Sequence, residues 1–400
     1  MTDVRLMQGF PPAADTQVTL ANWRTPPFNK WAFHHTREII ASADIPSDPD
    51  QVWRLPSAPA DLSRLTMAHR GKTLDFDAFL TATDTDGLIV LHRGAIVCEV
   101  YANGMTQRTP HILMSVSKSV LGTLCGILVD QGALDLEQPV TRLIPELAPT
   151  AYNGATLRQL LDMRAGVFFD ENYLATTGPI IEYRKAQNWN PLDPGETLSD
   201  LRSFYQSMTA PDGPHGGKFH YVSPNTDLLG WVIERATGER YADLVSRLLW
   251  QKLGASESAY ITVDRLGAPR CAGGFCASTR DLARLGQLFV QGGRRDGTQI
   301  VPAWWIDDIL GNGDQAAWDA GDFAPYFPKR PMHYRNKWYV LRESEPVIFG
   351  VGVYGQNLFI DRANQVVIAK FSSQAPPLDQ GRIALTLLGV ETIRRHLTRA

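Results

Sequence analysis

The chain has 400 residues and a formal net charge of −3, from 39 basic and 42 acidic side chains. This length allows a large buried core and favours two compact units over one small domain. The near balance of charge argues against a nucleic acid or an anionic membrane as partner, because both attract a strongly basic surface. Apolar residues make up 44% and charged residues 20%, which is typical of a folded globular protein.

The N-terminal residues lack the pattern of a secretion signal, and a cytoplasmic location is therefore expected. The most apolar helical stretch, residues 120–129, is about half the length that a membrane crossing needs. The four cysteines are too few for a disulfide scaffold and lack the spaced partners of a zinc site. No metal and no other cofactor is therefore expected.

The first regular elements lie in the first half of the chain. Alternating apolar residues at 87–92 and 95–101, joined by Arg93-Gly94, predict a β-hairpin. From Ser115 the spacing becomes helical and continues to Gly132, a typical helix-ending residue. A second helix is predicted at 156–163, capped by Thr156. Residues 168–197 are rich in Asn, Pro, Gly and aromatic side chains and predict a long loop, which usually carries function.

The second half begins with helical patterns and ends with strands. Helices are predicted at 225–237, 241–250 and 279–291, strands at 337–342, 348–354, 358–361 and 365–371, and a last helix at 379–397. The predicted fold class is α+β, an antiparallel sheet flanked by helices plus an inserted all-α domain. The predicted sheet domain is discontinuous, with residues 1–110 and 300–400, and the helical domain takes residues 111–299.

The tetrapeptide Ser115-Val116-Ser117-Lys118 is the most informative motif. At a helix start, Ser115 and Lys118 share one face and lie within contact range. A serine needs a neighbouring base to become a nucleophile, and a lysine serves if burial lowers its pKa. The plain alternative is a helix-capping serine followed by a solvated lysine.

Two later motifs are candidates for the same site. Tyr221 precedes a helix and could pass protons, since a neighbouring ammonium would stabilise its phenolate. Gly350-Val351-Gly352 lies in a predicted strand, where glycines mark close approach by a ligand or another backbone. Taken alone, Tyr221 is better explained as a packed aromatic residue, and the glycines are explained equally well by a bulged strand.

The order of Ser115-x-x-Lys118, Tyr221 and the glycine-flanked strand resembles the serine β-lactamase and penicillin-recognising superfamily, in its class C-like, family VIII esterase branch. Residues 23–33, 113–119 and 355–357 are similar to the nylon-oligomer hydrolases of that superfamily. The resemblance implies a β-lactamase/transpeptidase-like fold. It also implies that Ser115 is the acylated nucleophile, Lys118 its base and Tyr221 the proton shuttle. The N–H groups of Ser115 and Val353 would form the oxyanion hole.

The resemblance also implies a set of substrate-binding residues: Tyr173, Arg184, Trp189, Asn225 and Tyr354. Arg184 falls where amide-cleaving members place an acidic residue for the substrate ammonium, so an amine terminus should be repelled. Gly350-Val351-Gly352 stands where lactam-recognising members carry Lys-Thr-Gly or His-Thr-Gly, which removes a cation for the lactam carboxylate. Esterase activity should survive both changes.

The resulting expectation is a serine hydrolase of small carboxylic esters and short linear amides such as the 6-aminohexanoate dimer. The alternatives are a β-lactamase, a D-alanyl-D-alanine peptidase, or a non-catalytic penicillin-binding-like module. An α/β-hydrolase would need a Gly-x-Ser-x-Gly turn, which the sequence lacks, and a late catalytic histidine. His333 is available but is predicted to lie in a surface loop. The expected partners are the small-molecule substrate and a second copy of the chain in a homodimer.

Overall fold

The main sheet joins strands from the two ends of the chain. The computed structural model describes residues 5–328 and 330–398. Seven antiparallel strands lie in the spatial order Met332–Arg335, Trp338–Leu341, Val347–Gly352, Gln356–Asp361, Val366–Ser372, Thr85–His92 and Ala95–Tyr101. The hairpin at 85–101 therefore pairs with the last strand, as the sequence pattern predicts.

The two faces of this sheet pack against different helices. Along the strand Thr85–His92, Leu88 and Val90 belong to an apolar cluster that includes the C-terminal helix Gln380–Thr398. The alternate residues Ile89 and Leu91 belong to a larger cluster that includes the helix after Ser115. Side chains alternate between the faces of a strand, so a strand buried on both sides is apolar throughout. The sheet is thus the middle layer of three.

Most of the remaining regular structure of the described residues is helical. Those of five residues or more are Phe76–Ala82, Val116–Asp130, Leu157–Leu161, Pro179–Ala186, Pro224–Thr237, Tyr241–Val245, Thr279–Val290, Ala303–Gly311, Gln315–Asp319 and Gln380–Thr398, with a π-helical turn at Ser246–Trp250. Shorter α-helical turns lie at Asn29–Ala32, Leu201–Phe204 and Gln251–Leu253. The helix Val116–Asp130, here called the nucleophile helix, is buried along almost its whole length.

The helix Thr279–Val290 packs directly on the main sheet. A Cβ placed on Gly286 would lie 2.4 Å from Val367 Cγ1, so only glycine allows this close approach. The predicted domain division places this helix in the helical domain, yet its packing surface belongs to the sheet. The division into two domains remains a prediction.

Three smaller sheets complete the fold. The largest has four strands in the order Ser42–Ile45, Ala259–Thr262, Phe275–Ala277 and His111–Ile112. Two hairpins pair Thr66–His69 with Lys72–Asp75 and Arg294–Arg295 with Thr298–Gln299. The four-stranded sheet holds the chain that leads into the nucleophile helix, because its last strand ends three residues before Ser115.

Several sequence predictions need correction. Residues 168–197 are not one loop, because the helix Pro179–Ala186 lies within them. Pro179 occupies the first helical position, where proline is favourable, although its presence suggested a loop. His333 lies on a buried strand, with Nε2 2.8 Å from the carbonyl oxygen of Ile309, and not in a surface loop.

The structure also bears on membranes, disulfides and metals. Within residues 5–328 and 330–398, no helix is long and apolar enough to cross a bilayer. The four cysteines are all free thiols. The described part of the chain contains no group of three or more His, Cys, Asp or Glu side chains that could hold a metal ion.

Candidate active site

Ser115 lies at the turn that leads into the nucleophile helix. It occupies the N-cap position, but its side chain makes no capping hydrogen bond, so the hydroxyl is available for another role. The preceding residue, Met114, has a φ of 45°. A non-glycine residue pays in strain for such a conformation, and strain of this kind is concentrated at functional sites. This turn presents Ser115 to a small pocket, here called the serine pocket, which is also lined by Tyr173, Tyr221, Tyr339 and Val353.

Lys118 lies directly beneath Ser115. Its Nζ is 2.9 Å from Ser115 Oγ and 2.8 Å from the carbonyl oxygen of Ala272. The lysine is only 1% exposed. Burial lowers the pKa of Lys118 to about 7, with Arg270 acting in the same direction and Glu171 and Asp227 opposing it. Lys118 is therefore not a solvated lysine, and near neutral pH its amine can accept a proton.

A buried ion pair holds the carbonyl that anchors Lys118. Asp227 accepts hydrogen bonds from the N–H of Ala272 at 2.7 Å and from Arg270 at 2.5 Å, and also from the hydroxyl of Tyr183. Asp227 and Arg270 are 4% and 6% exposed, so neither charge is compensated by bulk solvent. The pair fixes the segment around Ala272 and thereby the position of the lysine amine.

Tyr221 lines the serine pocket together with Ser115 and Tyr339. Lys118 Nζ lies 4.8 Å from the centroid of its ring. Burial raises the pKa of Tyr221 well above its usual value, and nearby Glu171 adds to the shift. The predicted stabilised phenolate is therefore not favoured. At neutral pH Tyr221 carries its proton and can donate it.

The strand Val347–Gly352 brings a second backbone against the nucleophile turn. A Cβ placed on Gly352 would lie 2.7 Å from the carbonyl oxygen of Leu113 and 2.9 Å from the nitrogen of Ser115. Val353 follows this glycine and lines the serine pocket. Tyr354, the next residue, has a φ of 65°, so strained residues stand beside both expected oxyanion donors. The approach fits two converging N–H groups.

Glu171, which the sequence analysis did not single out, links Tyr173 to the segment that bears Tyr221. Its carboxylate accepts hydrogen bonds from the N–H of Ser223 at 2.6 Å and from the hydroxyl of Tyr173 at 2.7 Å. The hydroxyl of Ser223 also donates to it. Glu171 therefore orients Tyr173 and places a negative charge close enough to raise the pKa of Lys118.

The other predicted substrate-binding residues are not all beside the nucleophile. Tyr173 lines the serine pocket, whereas Arg184 donates to the backbone oxygen of Tyr173 at 3.0 Å from outside it. Trp189 is 6% exposed, and its Nε1 donates to Thr262 Oγ1 at 3.2 Å. Asn225 is 1% exposed and accepts a hydrogen bond from the hydroxyl of Tyr152 at 2.9 Å. In this structure Trp189 and Asn225 pack behind the pocket.

Tyr354 is likewise packed beneath the pocket wall. Its ring lies 5.1 Å from the ring of Phe33 in an edge-on arrangement, and it is 7% exposed. Burial raises the pKa of Tyr354, and the positive charges of Arg24 and Arg184 oppose this increase. Tyr354 does not line the serine pocket.

A larger cavity of about 640 Å³ adjoins the serine pocket. It is here called the outer cavity and is lined by Asp170, Glu171, Asp322, Phe323 and Tyr326, among others. Both spaces are bounded by the same five residues, Tyr173, Tyr221, Phe323, Tyr326 and Leu378. A substrate that reaches Ser115 can therefore extend into the outer cavity.

Comparison with known proteins agrees with this geometry. The pattern of the family described as Beta-lactamase matches residues 76–391, which is most of the chain. The chain belongs to the β-lactamase family and is a serine hydrolase. It is 34% identical over 369 residues to the 6-aminohexanoate-dimer hydrolase of Paenarthrobacter ureafaciens, covering 92% of this chain and 91% of the relative.

Two further similar proteins extend the comparison. A solved Bacillus anthracis chain that carries the 6-aminohexanoate-dimer hydrolase name superposes with a TM-score of 0.87 at 29% identity, covering 98% of this chain and 99% of that one. Esterase EstB of Burkholderia gladioli is 29% identical over 164 residues, 40% of this chain and 41% of the relative. The β-lactamase/transpeptidase-like fold expected from the sequence is confirmed.

Sequence reasoning missed Glu171, Asp227 and Tyr339. Glu171 lies in the segment flagged as functional and two residues before Tyr173, so its position was a usable signal. Asp227 and Tyr339 lie within regular elements and give no local signal. Their roles depend on contacts with residues more than forty positions away.

The acid side of the pH profile of kcat/KM tests the lowered pKa of Lys118 and the effect of Glu171 on it. Because only the neutral amine of Lys118 can accept a proton from Ser115, we expect kcat/KM for an ester to rise through a pH of about 7 and level off above it. Glu171→Gln removes a charge that raises the pKa of Lys118, so this limb should move to lower pH. The exposed neighbour Asp170 supplies a control, and Asp170→Asn should leave the limb in place. An unchanged limb in Glu171→Gln would refute the charge effect on Lys118.

Proposed function

We propose that this serine hydrolase cleaves small carboxylic esters through an acyl-enzyme on Ser115, and short linear amides more slowly. The observation that carries the proposal is the 2.9 Å contact between the buried Lys118 amine and Ser115 Oγ. A desolvated lysine with a pKa of about 7 is a suitable base for a serine hydroxyl.

Acylation uses four residues of the chain. Lys118 takes the hydroxyl proton as Ser115 Oγ bonds to the substrate carbonyl carbon, and the carbonyl oxygen becomes an oxyanion. The N–H groups of Ser115 and Val353 stabilise this oxyanion. Tyr221 gives its proton to the departing alkoxide or amine, and the lysine ammonium returns a proton to the phenolate. The alcohol or amine leaves, and the acyl group remains on Ser115.

Water completes the cycle by the same route in reverse. A water molecule in the space left by the alcohol gives a proton to the tyrosine–lysine pair as its oxygen attacks the acyl carbon. The oxyanion hole stabilises the second tetrahedral intermediate, and Ser115 leaves with a proton from Lys118. The carboxylic acid is released, and no redox step or added group is required.

Esters are favoured over amides by the chemistry of the leaving group, and a charge near Tyr173 disfavours amine-terminated substrates. An alkoxide leaves more easily than an amide anion, so an amide nitrogen must be protonated before it departs, whereas an ester depends less on this proton. The 34% identical dimer hydrolase supports amide cleavage as the second activity. Arg184 opposes a substrate with a free ammonium group, because its guanidinium lies against the backbone of Tyr173 and repels a second cation.

A substrate panel with a burst measurement tests the proposal. With p-nitrophenyl butyrate we expect a rapid release of about one equivalent of nitrophenol before the steady state, and an acylated Ser115 peptide by mass spectrometry. Nitrocefin and the 6-aminohexanoate dimer complete the panel. Turnover of nitrocefin far above that of the ester would favour the β-lactamase alternative. Binding of every compound without turnover would favour the non-catalytic module.

Arg184→Asp should improve cleavage of an amine-terminated amide. The change replaces a repelling charge with an attracting one, and kcat/KM for the 6-aminohexanoate dimer should rise by roughly tenfold or more. Arg184→Gln should give an intermediate value. Arg142→Asp makes the same charge change at an exposed site and should have no effect. An equal rise in Arg142→Asp would show that net charge, not the position of Arg184, is responsible.

A further inference from the structure

The outer cavity adjoins the residue proposed to protonate the leaving group. Tyr221, the proposed proton donor to the leaving group, lines both the serine pocket and the outer cavity. Val351 and Val353, on the oxyanion side, line the serine pocket only. A leaving group held next to the hydroxyl of Tyr221 therefore points into the outer cavity.

The charged groups of this cavity are mainly acidic. Three carboxylates line it, those of Asp170, Glu171 and Asp322, and no lysine or arginine occurs among its lining residues in the described part of the chain. His220 also lines the cavity, with Nδ1 2.9 Å from Asp212 and Nε2 3.8 Å from Asp322. The imidazole thus already has two carboxylate neighbours.

The carboxylates differ in how far they are engaged by the protein. Glu171 is occupied by Ser223 and Tyr173, and Asp322 accepts from the N–H of Tyr221 at 3.2 Å. Asp170 is exposed and accepts only the N–H of Asn172 at 3.1 Å among the described residues. Asp170 therefore has the most capacity to interact with a ligand charge.

Aromatic side chains supply the other part of the wall. Tyr173, Phe323 and Tyr326 line the cavity, and the ring of Phe323 meets that of Tyr221 edge-on at 4.4 Å. Phe168, on the cavity wall, is 51% exposed. Aromatic faces attract cations, especially quaternary ammonium groups with weak hydration. Carboxylates and aromatic rings together favour a positive group and disfavour a negative one.

We infer that the outer cavity selects esters whose alcohol carries a positive charge, such as an alkylammonium alcohol, over neutral and anionic alcohols of the same shape. This inference rests on the proposed function and specifies its leaving group. It also implies that a linear amide whose departing half ends in a carboxylate is a poor substrate, because that carboxylate would enter the acidic cavity. Hydrolysis of the preferred ester adds water across the acyl–oxygen bond and releases a carboxylic acid and a cationic alcohol.

Three acetate esters of similar size provide the test. Acetylcholine carries the cationic alcohol, 3,3-dimethylbutyl acetate is its neutral isostere, and 4-acetoxybutanoate releases an anionic alcohol. At pH 8 and low salt, kcat/KM should be roughly tenfold higher for the cationic ester than for the neutral one, and lowest for the anionic one. Added sodium chloride should reduce the difference, since it screens the exposed charge of Asp170.

Variants at Asp170 test whether its carboxylate causes the preference for the cationic ester. Asp170→Asn should lower the ratio of cationic to neutral ester by roughly threefold, and Asp170→Lys should bring it to one or below. Glu345→Gln removes an exposed acidic charge outside both cavities and should leave the ratio unchanged. p-Nitrophenyl acetate, an uncharged ester with an activated leaving group, is measured on every variant and shows whether acyl transfer is retained.

The outcomes separate the two proposals. Normal p-nitrophenyl acetate turnover with no preference for acetylcholine would overturn the cation inference and leave the esterase proposal intact. A preference for acetylcholine that stays the same in Asp170→Lys would also overturn the cation inference, because the carboxylate of Asp170 would then not be the group that attracts the cation. Absence of turnover with all four esters would overturn the proposed function itself.

Discussion

Ser115→Ala is expected to abolish ester turnover and the initial burst. The loss in kcat should be about 10⁴-fold or more, the scale seen when a serine hydrolase loses its nucleophile. Neighbouring serines cannot replace it, because both are already engaged. Ser117 Oγ accepts the N–H of Phe275 at 3.1 Å, and Ser119 Oγ donates to the carbonyl oxygen of Lys337 at 2.9 Å.

The matched control is Ser207→Ala, at an exposed serine away from the pocket. Ser207→Ala should keep the burst and kcat of the unmodified protein. The melting temperatures of Ser115→Ala and Ser207→Ala should lie within a few degrees of that of the unmodified protein. Ester turnover by Ser115→Ala at the rate of the unmodified protein would eliminate Ser115 as the nucleophile. The measurement is stopped-flow release of p-nitrophenol from the butyrate ester.

Gly352→Ala is expected to give the second large loss, although it adds only one methyl group. That group would lie 2.7 Å from the carbonyl oxygen of Leu113 and 2.9 Å from the nitrogen of Ser115. Both neighbours are backbone atoms that cannot rotate away, so the strand must move back from the nucleophile turn. The Val353 N–H would then leave the oxyanion hole. Loss of one such donor lowers kcat by about 10²- to 10³-fold.

Gly311→Ala provides the control, because no atom lies within 4 Å of the Cβ it would add. It should leave kcat unchanged. In Gly352→Ala the acylation rate should fall while KM changes little, since the oxyanion forms only in the transition state. An unaltered acylation rate in a folded Gly352→Ala protein would exclude Val353 as a donor.

The site was predictable where its residues are neighbours in sequence. Ser115 and Lys118 are three positions apart, and helical geometry alone places them on one face. The surrounding apolar residues correctly indicated burial of the lysine. The glycines of residues 350–352 correctly indicated close backbone approach, because a missing side chain is visible in the sequence.

The interpretation failed where a property depends on distant groups. Tyr221 was expected as a phenolate stabilised by Lys118, but both side chains are buried, and desolvation opposes charge on each of them. The protonated phenol and the neutral amine follow from burial. The composition of residues 168–197 also led to a loop prediction that missed the helix Pro179–Ala186. Proline is common in loops, but here it occupies the first position of a helix.

The sequence by itself predicted the class of the fold and the pairing of Ser115 with Lys118, since these depend on periodic patterns and short spacings. Only the tertiary structure decided which residues set the charge of the site. Glu171 reaches Ser223 across about fifty residues, and Asp227 reaches the Ala272 segment across forty-five. Asp170 and Asp322 meet at one cavity from segments that are even farther apart. Electrostatic energy depends on distance in space and on burial, and neither can be read from positions along the chain.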